Sequence, residues 1–551
     1  MSKRQKQEIP AAASTLTAAQ RTERTAWAGL AVAILVVALI RIRLAPAPLE
    51  RDEGEYAYAG QLILQGVLPF VEVYNMKMPG IYAAYAVVLA LFGQTPFGIH
   101  IGLLVVNVLS TVLLFAIVRR YMDPIASLIA AVSFLCFTLN SGVLGAFAHA
   151  THFVVFFGLA GFCVLLRPAK VLRWYDVLGA GLLFGCAFMM KQHAAPFVAV
   201  AGGYLFWRLR AEAKNSVGVR AALLTLFLAG VFLPFLVTCG AMWGAGVFDK
   251  FWFWTFEYAG AYVSKNPFAR IPRNFGGTLV EMVPAVFFLW CLSLVGFGAM
   301  WKRRRVSIFL LACAVAGALA ISPGFYFRQH YFVLVLPLAS VLAALGAEWI
   351  AGRAPLAFRK QAGVPAMALM VAAVAWAQYA LADRAYLFTR SPVEVSRALY
   401  GANPFPESIE IARYLHDNTT PEDRIAIIGS EPQLSFYSQR RSASGFAYIY
   451  PLMEEQRFAS QMQQQMIEEI ESRKPKYVVL VMVQSSWSAS QNSDPTFFNW
   501  AQDYINKRCD RVGVVKIGFP ESTFYWGDAQ KGISLVAAQP WVGIFRLRES
   551  G

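Results

Sequence analysis

The stretch Trp27–Leu44, WAGLAVAILVVALIRIRL, is followed closely by the acidic stretch Leu49-Glu-Arg-Asp-Glu-Gly-Glu-Tyr-Ala-Tyr58. A run of roughly 17–25 apolar residues is the length that spans a bilayer core of about 30 Å as a helix. Carboxylates at the mouth of such a helix are costly in lipid and stable only where they face a polar cavity. The pair Asp52-Glu53 therefore predicts a polar site at the end of the first membrane helix.

The composition of the whole chain agrees with a membrane protein. Of its 551 residues, 57% are hydrophobic and only 15% are charged, which is too apolar for an ordinary soluble protein of this length. Repeated apolar runs fill residues 26–382, whereas residues 391–551 have the composition of a globular domain. The sequence predicts a polytopic α-helical membrane protein with a carboxyl-terminal soluble domain.

The apolar runs divide the first part of the chain. A polar tail, residues 1–25, precedes a predicted membrane domain at 26–390, and two longer loops are predicted at 45–96 and 244–278. Pro79–Phe92 is apolar but short, so we expect it to be an interfacial helix. About eleven transmembrane helices are predicted from run length, near 26–44, 97–118, 124–140, 147–166, 174–190, 193–207, 221–243, 279–300, 306–322, 330–350 and 364–382.

Basic residues set the predicted orientation. Arg119-Arg120, Arg208 and Arg210 are among the cations that concentrate in alternate short loops, which is typical of the cytoplasmic side. The amino terminus is therefore expected in the cytoplasm and residues 391–551 in the periplasm or outside the cell, for a multi-pass protein of a bacterial inner (plasma) membrane. These loops account for much of the net charge of +16, so a nucleic-acid partner is not expected.

With this orientation, polar residues gather at the outer helix ends. Five of the six histidines fall there, together with several cations. One interpretation is that histidines simply favour the membrane interface; the alternative is a polar site in the outer leaflet. The clustering on one side favours the site.

The order of four motifs resembles a known family. Arg51-Asp-Glu-Gly-Glu-Tyr56 is followed by Tyr74-Asn-Met-Lys-Met-Pro-Gly80, by Met189-Met-Lys-Gln192 and by Arg328-Gln-His-Tyr331. This order is similar to that of the GT-C superfamily of membrane glycosyltransferases, in the branch of the protein O-mannosyltransferases and lipid A aminoarabinose transferases. The resemblance covers roughly residues 26–382. It implies a GT-C-like fold, a polyprenyl-phosphate-sugar donor, a glycan, lipid or protein acceptor on the outer face, and inversion at the anomeric carbon.

The resemblance also implies roles for individual residues. Asp52, with Glu53 beside it, corresponds to the catalytic carboxylate that takes a proton from the acceptor or orients it, as an inverting displacement requires. Cations are expected to stabilise the leaving phosphate, although each could instead be an interfacial cation that extends to the headgroups. The residues expected to bind the donor phosphate are Lys77, Lys191, Arg328 and His330. The residues expected to line the substrate pocket are Tyr56, Tyr74, His149, His152, His193 and Tyr331.

The chain departs from the family at positions that matter for metal binding. Relatives often carry an acidic residue just before the loop lysine, where this chain has Met76. His149 and His152, three residues apart, could still join Asp52 or Glu53 around a divalent ion. We expect no obligatory cofactor and keep a divalent metal as an option.

Residues 391–551 alternate between helical and strand-like patterns. Buried strands are predicted at 423–429, 476–482, 511–517 and 541–547, and helices at 408–418, 453–472 and 496–507. This alternation predicts a small α/β domain, which could serve as an acceptor-docking element, a stabilising lid or a platform for a partner.

Two other classes of function remain open at this stage. A transporter or flippase of lipid-linked sugars would carry ionisable residues near the middle of the bilayer, whereas here they lie at helix ends. A non-catalytic envelope assembly protein would not need about eleven spans to anchor its soluble domain. A lipid-linked sugar transferase is the function that the sequence favours.

Overall fold

The computed structural model describes residues 17–168, 172–211, 216–302, 304–535 and 539–548. Residues 1–16, which make up most of the predicted amino-terminal tail, lie outside the described residues. The chain is helical up to residue 417, with short 3₁₀ and π turns between helices. The helices of the predicted membrane domain are α1 Ala18–Leu44, α2 Arg51–Leu64, α3 Pro79–Phe92, α4 Pro96–Val118, α5 Pro124–Leu139, α6 Ala150–Leu165, α7 Trp174–Met190, α8 Ala195–Ala211, α9 Val217–Gly244, α10 Phe248–Trp252, α11 Ala259–Val263, α12 Ile271–Met282, α13 Phe287–Ala299, α14 Arg304–Ile321, α15 Leu336–Ala351, α16 Leu356–Ala362 and α17 Val364–Ala382.

The first helix begins earlier than the apolar run predicts. Thr17 caps α1, and its side chain accepts a hydrogen bond from the backbone N–H of Gln20. The Gln20 side chain accepts in return from the Thr17 backbone, so a capping box fixes the start of the helix within the predicted polar tail. At the other end, the buried Arg41 donates to the backbone carbonyl of Thr138, in the last turn of α5, and to that of Gly145, which follows the helix.

The predicted spans are helices, but they differ in length. Among the described residues, six helical stretches are long and apolar enough to cross a membrane: Ala19–Leu44, Pro96–Val118, Val217–Gly244, Pro284–Lys302, Gln329–Ala351 and Val364–Ala382. The other predicted spans correspond to helices of 16 to 18 residues, α5, α6, α7, α8 and α14. A helix of that length is about 24–27 Å long, which is less than the bilayer core of about 30 Å. Pro79–Phe92, which the sequence predicts to be interfacial, is a shorter apolar helix as well.

The predicted loop 45–96 is largely helical, and its first helix packs tightly. Glu50 caps α2 and forms a capping box with Glu53. A Cβ on Gly54 would lie 2.8 Å from the backbone nitrogen of Gln433, and one on Gly60 would lie 2.9 Å from that of Ala86. These two glycines therefore let α2 approach the carboxyl-terminal part on one side and α3 on the other.

Residues 391–548 carry a six-stranded mixed sheet. Its spatial order is β2-β1-β3-β6-β4-β5, with β1 parallel to β2 and β3 and the remaining pairs antiparallel. The strands are β1 Arg424–Ile428, β2 Arg441–Ser442, β3 Tyr477–Met482, β4 Cys509–Lys516, β5 Thr523–Trp526 and β6 Trp541–Leu547. The helices are α18 Pro392–Tyr400, α19 Phe405–Asp417, α20 Gln433–Ser438, α21 Tyr450–Met453, α22 Ala459–Arg473, α23 Gln484–Trp487 and α24 Thr496–Arg508. The predicted helix 453–472 is in fact α22 alone, preceded by the separate turn α21.

Ion pairs join this carboxyl-terminal part to the helical region. Arg51 of α2 lies 3.1 Å from Glu431, and Glu72 lies 3.0 Å from Arg424 and 3.1 Å from Arg441. The carboxyl-terminal part is thereby held against α2, which carries the predicted catalytic carboxylate, and against the segment that follows α2.

Candidate functional site

Asp52 lies in the first turn of α2, where the amino-terminal end of the helix dipole favours a carboxylate. Its Oδ1 accepts a hydrogen bond from Lys77 Nζ at 2.9 Å and lies 3.1 Å from the hydroxyl of Tyr448. The structure thus brings together the aspartate and the lysine of two motifs that are 25 residues apart, and it adds a tyrosine from the carboxyl-terminal part.

The Asp52–Lys77 pair is electrostatically strong. Burial by itself raises the pKa of a carboxyl group, but the ammonium of Lys77 outweighs burial and holds the pKa of Asp52 below its usual range. In the same way, burial lowers the pKa of Lys77, and the Asp52 carboxylate more than reverses this effect. Both groups are therefore charged at neutral pH.

Glu53, the other residue of the acidic pair, does not join the contacts of Asp52 with Lys77 and Tyr448. It is fully buried, and its oxygens lie 3.0 Å from His100 Nε2 and 2.5 Å from the backbone nitrogen of Ala148, which donates to it. It also accepts from the backbone of Glu50 in the capping box. Glu53 therefore ties α2 to α4 and to the residue that precedes His149.

A third carboxylate, Glu55, is also buried. It accepts hydrogen bonds from Asn75 Nδ2 at 2.9 Å and from the hydroxyl of Tyr82. Burial raises the pKa of Glu55, and the two donors satisfy its oxygens. Glu55 thereby holds the loop that carries Lys77 against α2.

Four aromatic side chains form a row beside Asp52. The ring of His149 stacks on that of His330 with centroids 4.2 Å apart, and His330 lies edge-on to Tyr331 at 4.8 Å. His193 meets the other side of Tyr331 at 4.6 Å, and its Nδ1 lies 2.6 Å from the carbonyl oxygen of Ala320. Residues from three separate segments of the chain therefore line one wall of the site.

Cations face this row. Lys191 Nζ lies 4.2 Å from the centroid of the Tyr331 ring, and Arg328 lies 5.3 Å from that of Tyr326. Burial, with Lys77 nearby, lowers the pKa of Lys191 from 10.5 to about 7. Lys77 also lies over the ring of Tyr56, at 5.5 Å. The site thus holds more positive than negative charge at its accessible side, which suits an anionic ligand.

Three side chains approach one another closely enough to hold a metal ion. One potential ligand atom from each of Asp52, His149 and His330 lies within 4.8 Å of the other two. His149 is 2% exposed, and neither of its ring nitrogens has a hydrogen-bond partner among the described residues; Glu50 Oε1 is 3.7 Å from Nδ1. This donor set fits a divalent transition metal. Because ring lone pairs lie in the ring plane, ligation by both histidines requires them to tilt from their interplanar angle of 13°.

Two predicted pocket residues lie elsewhere. The ring of Tyr74 packs against Trp254 and Phe446, and its hydroxyl contacts Glu469. His152 is buried with its Nδ1 3.2 Å from Asn107 Oδ1. Because His149 precedes α6 as its cap and His152 lies inside the helix, the two histidines do not share one face, and His330 takes the place next to His149.

The sequence did not indicate the contribution of the carboxyl-terminal part. Tyr448 and Tyr450, whose rings stack at 4.9 Å, enter the site from a segment almost 400 residues beyond Asp52. Glu50 and Asn75 were missed as well, because a cap and a loop amide carry no distinctive pattern. Only the pair of tyrosines spaced two apart in Tyr448-Ile-Tyr450 offered a weak signal.

An apolar cavity of about 470 Å³ opens among α4, α6, α7, α8, α14 and α15. It is lined almost wholly by aliphatic and aromatic side chains, including Phe162, Phe184 and Phe309. Two further lining residues, Ala187 and Ala194, flank Lys191 in sequence. The cavity therefore provides apolar volume next to the segment that carries Lys191.

Comparisons with known proteins find sequence similarity to sugar transferases. Residues 77–251 match the family described as dolichyl-phosphate-mannose-protein mannosyltransferase. The undecaprenyl phosphate-alpha-4-amino-4-deoxy-L-arabinose arabinosyl transferase 2 of Pseudomonas fluorescens is 27% identical over 270 residues, which cover 46% of this chain and 44% of the relative. The corresponding transferase of Pseudomonas paraeruginosa is 29% identical over 218 residues, 37% of this chain and 38% of the relative. The chain thus matches less than half the length of these relatives.

Two solved structures share the fold over most of the chain. ArnT from Cupriavidus metallidurans, bound to undecaprenyl phosphate, superposes with a TM-score of 0.57 at 14% identity, over 94% of this chain and 98% of that one. The archaeal oligosaccharyltransferase AglB from Archaeoglobus fulgidus, in complex with an inhibitory peptide and a dolichol-phosphate, gives a TM-score of 0.54 at 13% identity, over 93% of this chain and 75% of that one.

Proposed function

We propose that this chain, a member of the GT-C superfamily of membrane glycosyltransferases similar to the aminoarabinose and protein mannosyl transferases, transfers a sugar from a polyprenyl-phosphate donor to an acceptor on the outer face of a bacterial inner membrane. The observation that carries the proposal is the Asp52–Lys77 ion pair, together with the further cations Lys191 and Arg328 and an apolar cavity next to the segment of Lys191. A reactive carboxylate, positive charge for a phosphate and apolar volume for a lipid chain are the three things that such a donor requires.

In this reaction Asp52 acts on the acceptor. The acceptor hydroxyl attacks the anomeric carbon from the face opposite the phosphate, and its proton passes to the Asp52 carboxylate as the new C–O bond forms. The bond between the anomeric carbon and the phosphate oxygen breaks, and polyprenyl phosphate leaves with the electron pair. Because attack and departure are on opposite faces, the anomeric configuration inverts. Through its bonds to His100 and Ala148, Glu53 fixes the first turn of α2, which carries Asp52.

Lys77 links donor binding to the strength of this base. In the structure its ammonium pairs with Asp52 and weakens that carboxylate as a proton acceptor. A donor phosphate that reaches Lys77 shares the ammonium, so Asp52 becomes more basic when donor is present. The same cation then neutralises charge that grows on the departing phosphate. Lys77 in this way pairs first with the Asp52 carboxylate and then with the donor phosphate.

The remaining cations and the cavity fit the donor lipid. We assign Lys191, Arg328 and His330 to the phosphate side of the site. The other three members of the aromatic row and Tyr56 are assigned to the sugar, since aromatic faces stack on sugar rings. The apolar cavity is suited to the lipid chain of the donor, because its lining is almost wholly aliphatic and aromatic and it begins next to Lys191, at Ala187 and Ala194.

The proposed sidedness follows from charge. The basic loops predict that the amino terminus is cytoplasmic, which places Asp52 and the carboxyl-terminal sheet on the outer side. The acceptor, whether glycan, lipid or protein, must then be available outside the cytoplasm.

A divalent metal is compatible with the site and is not required by the steps above. Asp52, His149 and His330 would hold the ion. A bound divalent ion supplies Lewis-acid chemistry, which lowers the pKa of a coordinated hydroxyl group. Without it, the carboxylate of Asp52 alone receives the proton.

The proposal is tested with purified protein reconstituted into sealed liposomes and a panel of polyprenyl-phosphate-linked hexoses, pentoses and amino sugars, each offered with an outer-envelope acceptor fraction. We expect one donor to yield free polyprenyl phosphate and a product whose anomeric configuration is inverted, as read by NMR coupling constants. Movement of an intact donor across the bilayer without release of polyprenyl phosphate would instead establish a flippase.

A further inference from the structure

A tyrosine of the carboxyl-terminal part reaches the catalytic carboxylate. The hydroxyl of Tyr448 lies 3.1 Å from Asp52 Oδ1 and 3.2 Å from the carbonyl oxygen of Arg51. A tyrosine hydroxyl has one hydrogen to donate, and a charged carboxylate is the stronger acceptor of the two. Tyr448 therefore donates to Asp52, across the junction between the helical region and the sheet-bearing part.

Hydrogen bonds to its backbone hold the segment around Tyr448 in place. The Tyr74 backbone N–H donates to the carbonyl of Gly445 at 2.9 Å, and the Ile449 N–H donates to Ser430 Oγ at 2.9 Å. A Cβ on Gly445 would lie 2.0 Å from the ring of Tyr74, so only glycine permits this approach. These contacts fix the position of the Tyr448 hydroxyl relative to Asp52.

The two donors to Asp52 act on the same oxygen. Lys77 and Tyr448 both approach Oδ1, and Oδ2 accepts no hydrogen bond from the part of the chain that the structure describes. One oxygen is thereby anchored, and the other is available to an incoming hydroxyl group. A general base must lie within hydrogen-bond reach of the proton that it removes, so the orientation of this carboxylate matters for turnover.

We propose that Tyr448 is a positioning residue for Asp52, and that the carboxyl-terminal α/β part is consequently a component of the catalytic site. This inference rests on the proposed function and extends it to residues 391–548. It assigns that part a role in turnover itself, beyond docking an acceptor or a partner.

The test compares Tyr448→Phe with a matched control in the full-length protein. Tyr437 also joins the two parts of the chain, since its hydroxyl accepts a hydrogen bond from the Leu49 backbone N–H at 2.8 Å, but it does not contact Asp52. We expect Tyr448→Phe to lower kcat by about tenfold, the effect of one lost charge-assisted hydrogen bond, with the KM for donor unchanged. Tyr437→Phe is expected to leave kcat unchanged and to lower the melting temperature by at least as much as Tyr448→Phe does.

A double-mutant cycle with Asp52→Asn separates positioning from a general structural effect. If Tyr448 acts through Asp52, Tyr448→Phe causes no further loss in the residual rate of the Asp52→Asn protein. An equal loss in both backgrounds, or wild-type kcat in Tyr448→Phe, would overturn the inference. The same cycle measured by thermal unfolding reports the contact without any turnover. If the thermal-unfolding cycle shows coupling between Tyr448 and Asp52 but the wild-type protein has no turnover, the proposed function is refuted, and the catalytic role of Tyr448 with it. If neither the unfolding cycle nor the kinetic cycle shows coupling, only the Tyr448–Asp52 contact is refuted.

Discussion

Lys77 Nζ lies 2.9 Å from Asp52 Oδ1, and this ion pair joins the two motifs on which the proposed chemistry depends. The lysine is expected to contact the donor phosphate, yet in the structure it pairs with the base. The two roles are compatible if the phosphate and the carboxylate share one ammonium during turnover. The first prediction concerns this shared cation.

Replacing Lys77 with alanine removes a charge-assisted hydrogen bond from both partners. We expect kcat/KM to fall by about 10- to 100-fold, since hydrogen bonds to charged groups contribute about 1.5–3 kcal/mol. Lys77→Arg retains the charge and should recover part of the loss. The measurement is steady-state release of polyprenyl phosphate from the active donor. Equal activity of Lys77→Ala and wild type would contradict the role of the pair.

Lys191 should cause kcat/KM to decrease on the basic side of its pH profile. Because burial lowers its pKa to about 7, Lys191 is charged below that pH and neutral above it. Only the charged form attracts the donor phosphate, so kcat/KM is expected to fall as the pH rises through about 7. In Lys191→Arg the guanidinium stays charged, and this decrease should move to higher pH. A pH profile that is the same for both proteins would exclude Lys191 from phosphate binding.

Filling the apolar cavity should weaken donor binding without affecting chemistry. Gly158 lines the cavity, and a Cβ added there meets no atom within 4 Å. Gly158→Leu is therefore expected to raise the KM for a long-chain donor by about tenfold, from a contact loss of about 1.4 kcal/mol, and to leave kcat unchanged. Gly179→Leu, an equally open glycine that does not line the cavity, is the control. The same KM in both variants would place the lipid elsewhere.

Metal binding can be measured separately from turnover. If Asp52, His149 and His330 hold an ion, wild-type protein should bind one equivalent of Co²⁺ with visible absorption bands of histidine ligation. His149→Ala should abolish those bands, whereas His152→Ala, one turn away and bonded to Asn107, should retain them. We also expect chelator-treated protein to keep its activity. Loss of activity on chelation that Zn²⁺ restores would make the metal obligatory and contradict that expectation.

The helical elements follow closely from sequence pattern, because apolar runs of helical length have few alternative structures. β6 coincides with the predicted strand 541–547, and the helix predicted at 496–507 is α24, Thr496–Arg508. The start of α1 was misplaced because the capping box at Thr17 lies in a polar stretch. The sequence predicts a loop where the structure has helix α2, because the first turn of α2 is acidic and its buried face depends on neighbours that are distant in sequence.

Several residues of the candidate site could be named from the sequence, whereas the contacts among them could not. Asp52, Lys77, Lys191 and His330 gather as the motif order indicates, since each lies at the end of a helix. The partners of these residues were not predictable. The stacking of His149 on His330 joins the residue that caps α6 to the stretch before α15, and the Tyr448 contact crosses from the sheet-bearing part to α2. Such pairings depend on tertiary packing, which spacing along the chain does not encode.

The most direct test of the account is the release of polyprenyl phosphate by wild type, Asp52→Asn and the control Asp249→Asn, an exposed carboxylate of α10. We predict that Asp52→Asn reduces kcat by about 10²- to 10⁴-fold, the range for loss of a general base, while it binds donor as tightly as wild type. Asp249→Asn should match wild type. Full turnover by Asp52→Asn would contradict the assignment of Asp52 as the base and, with it, the central claim.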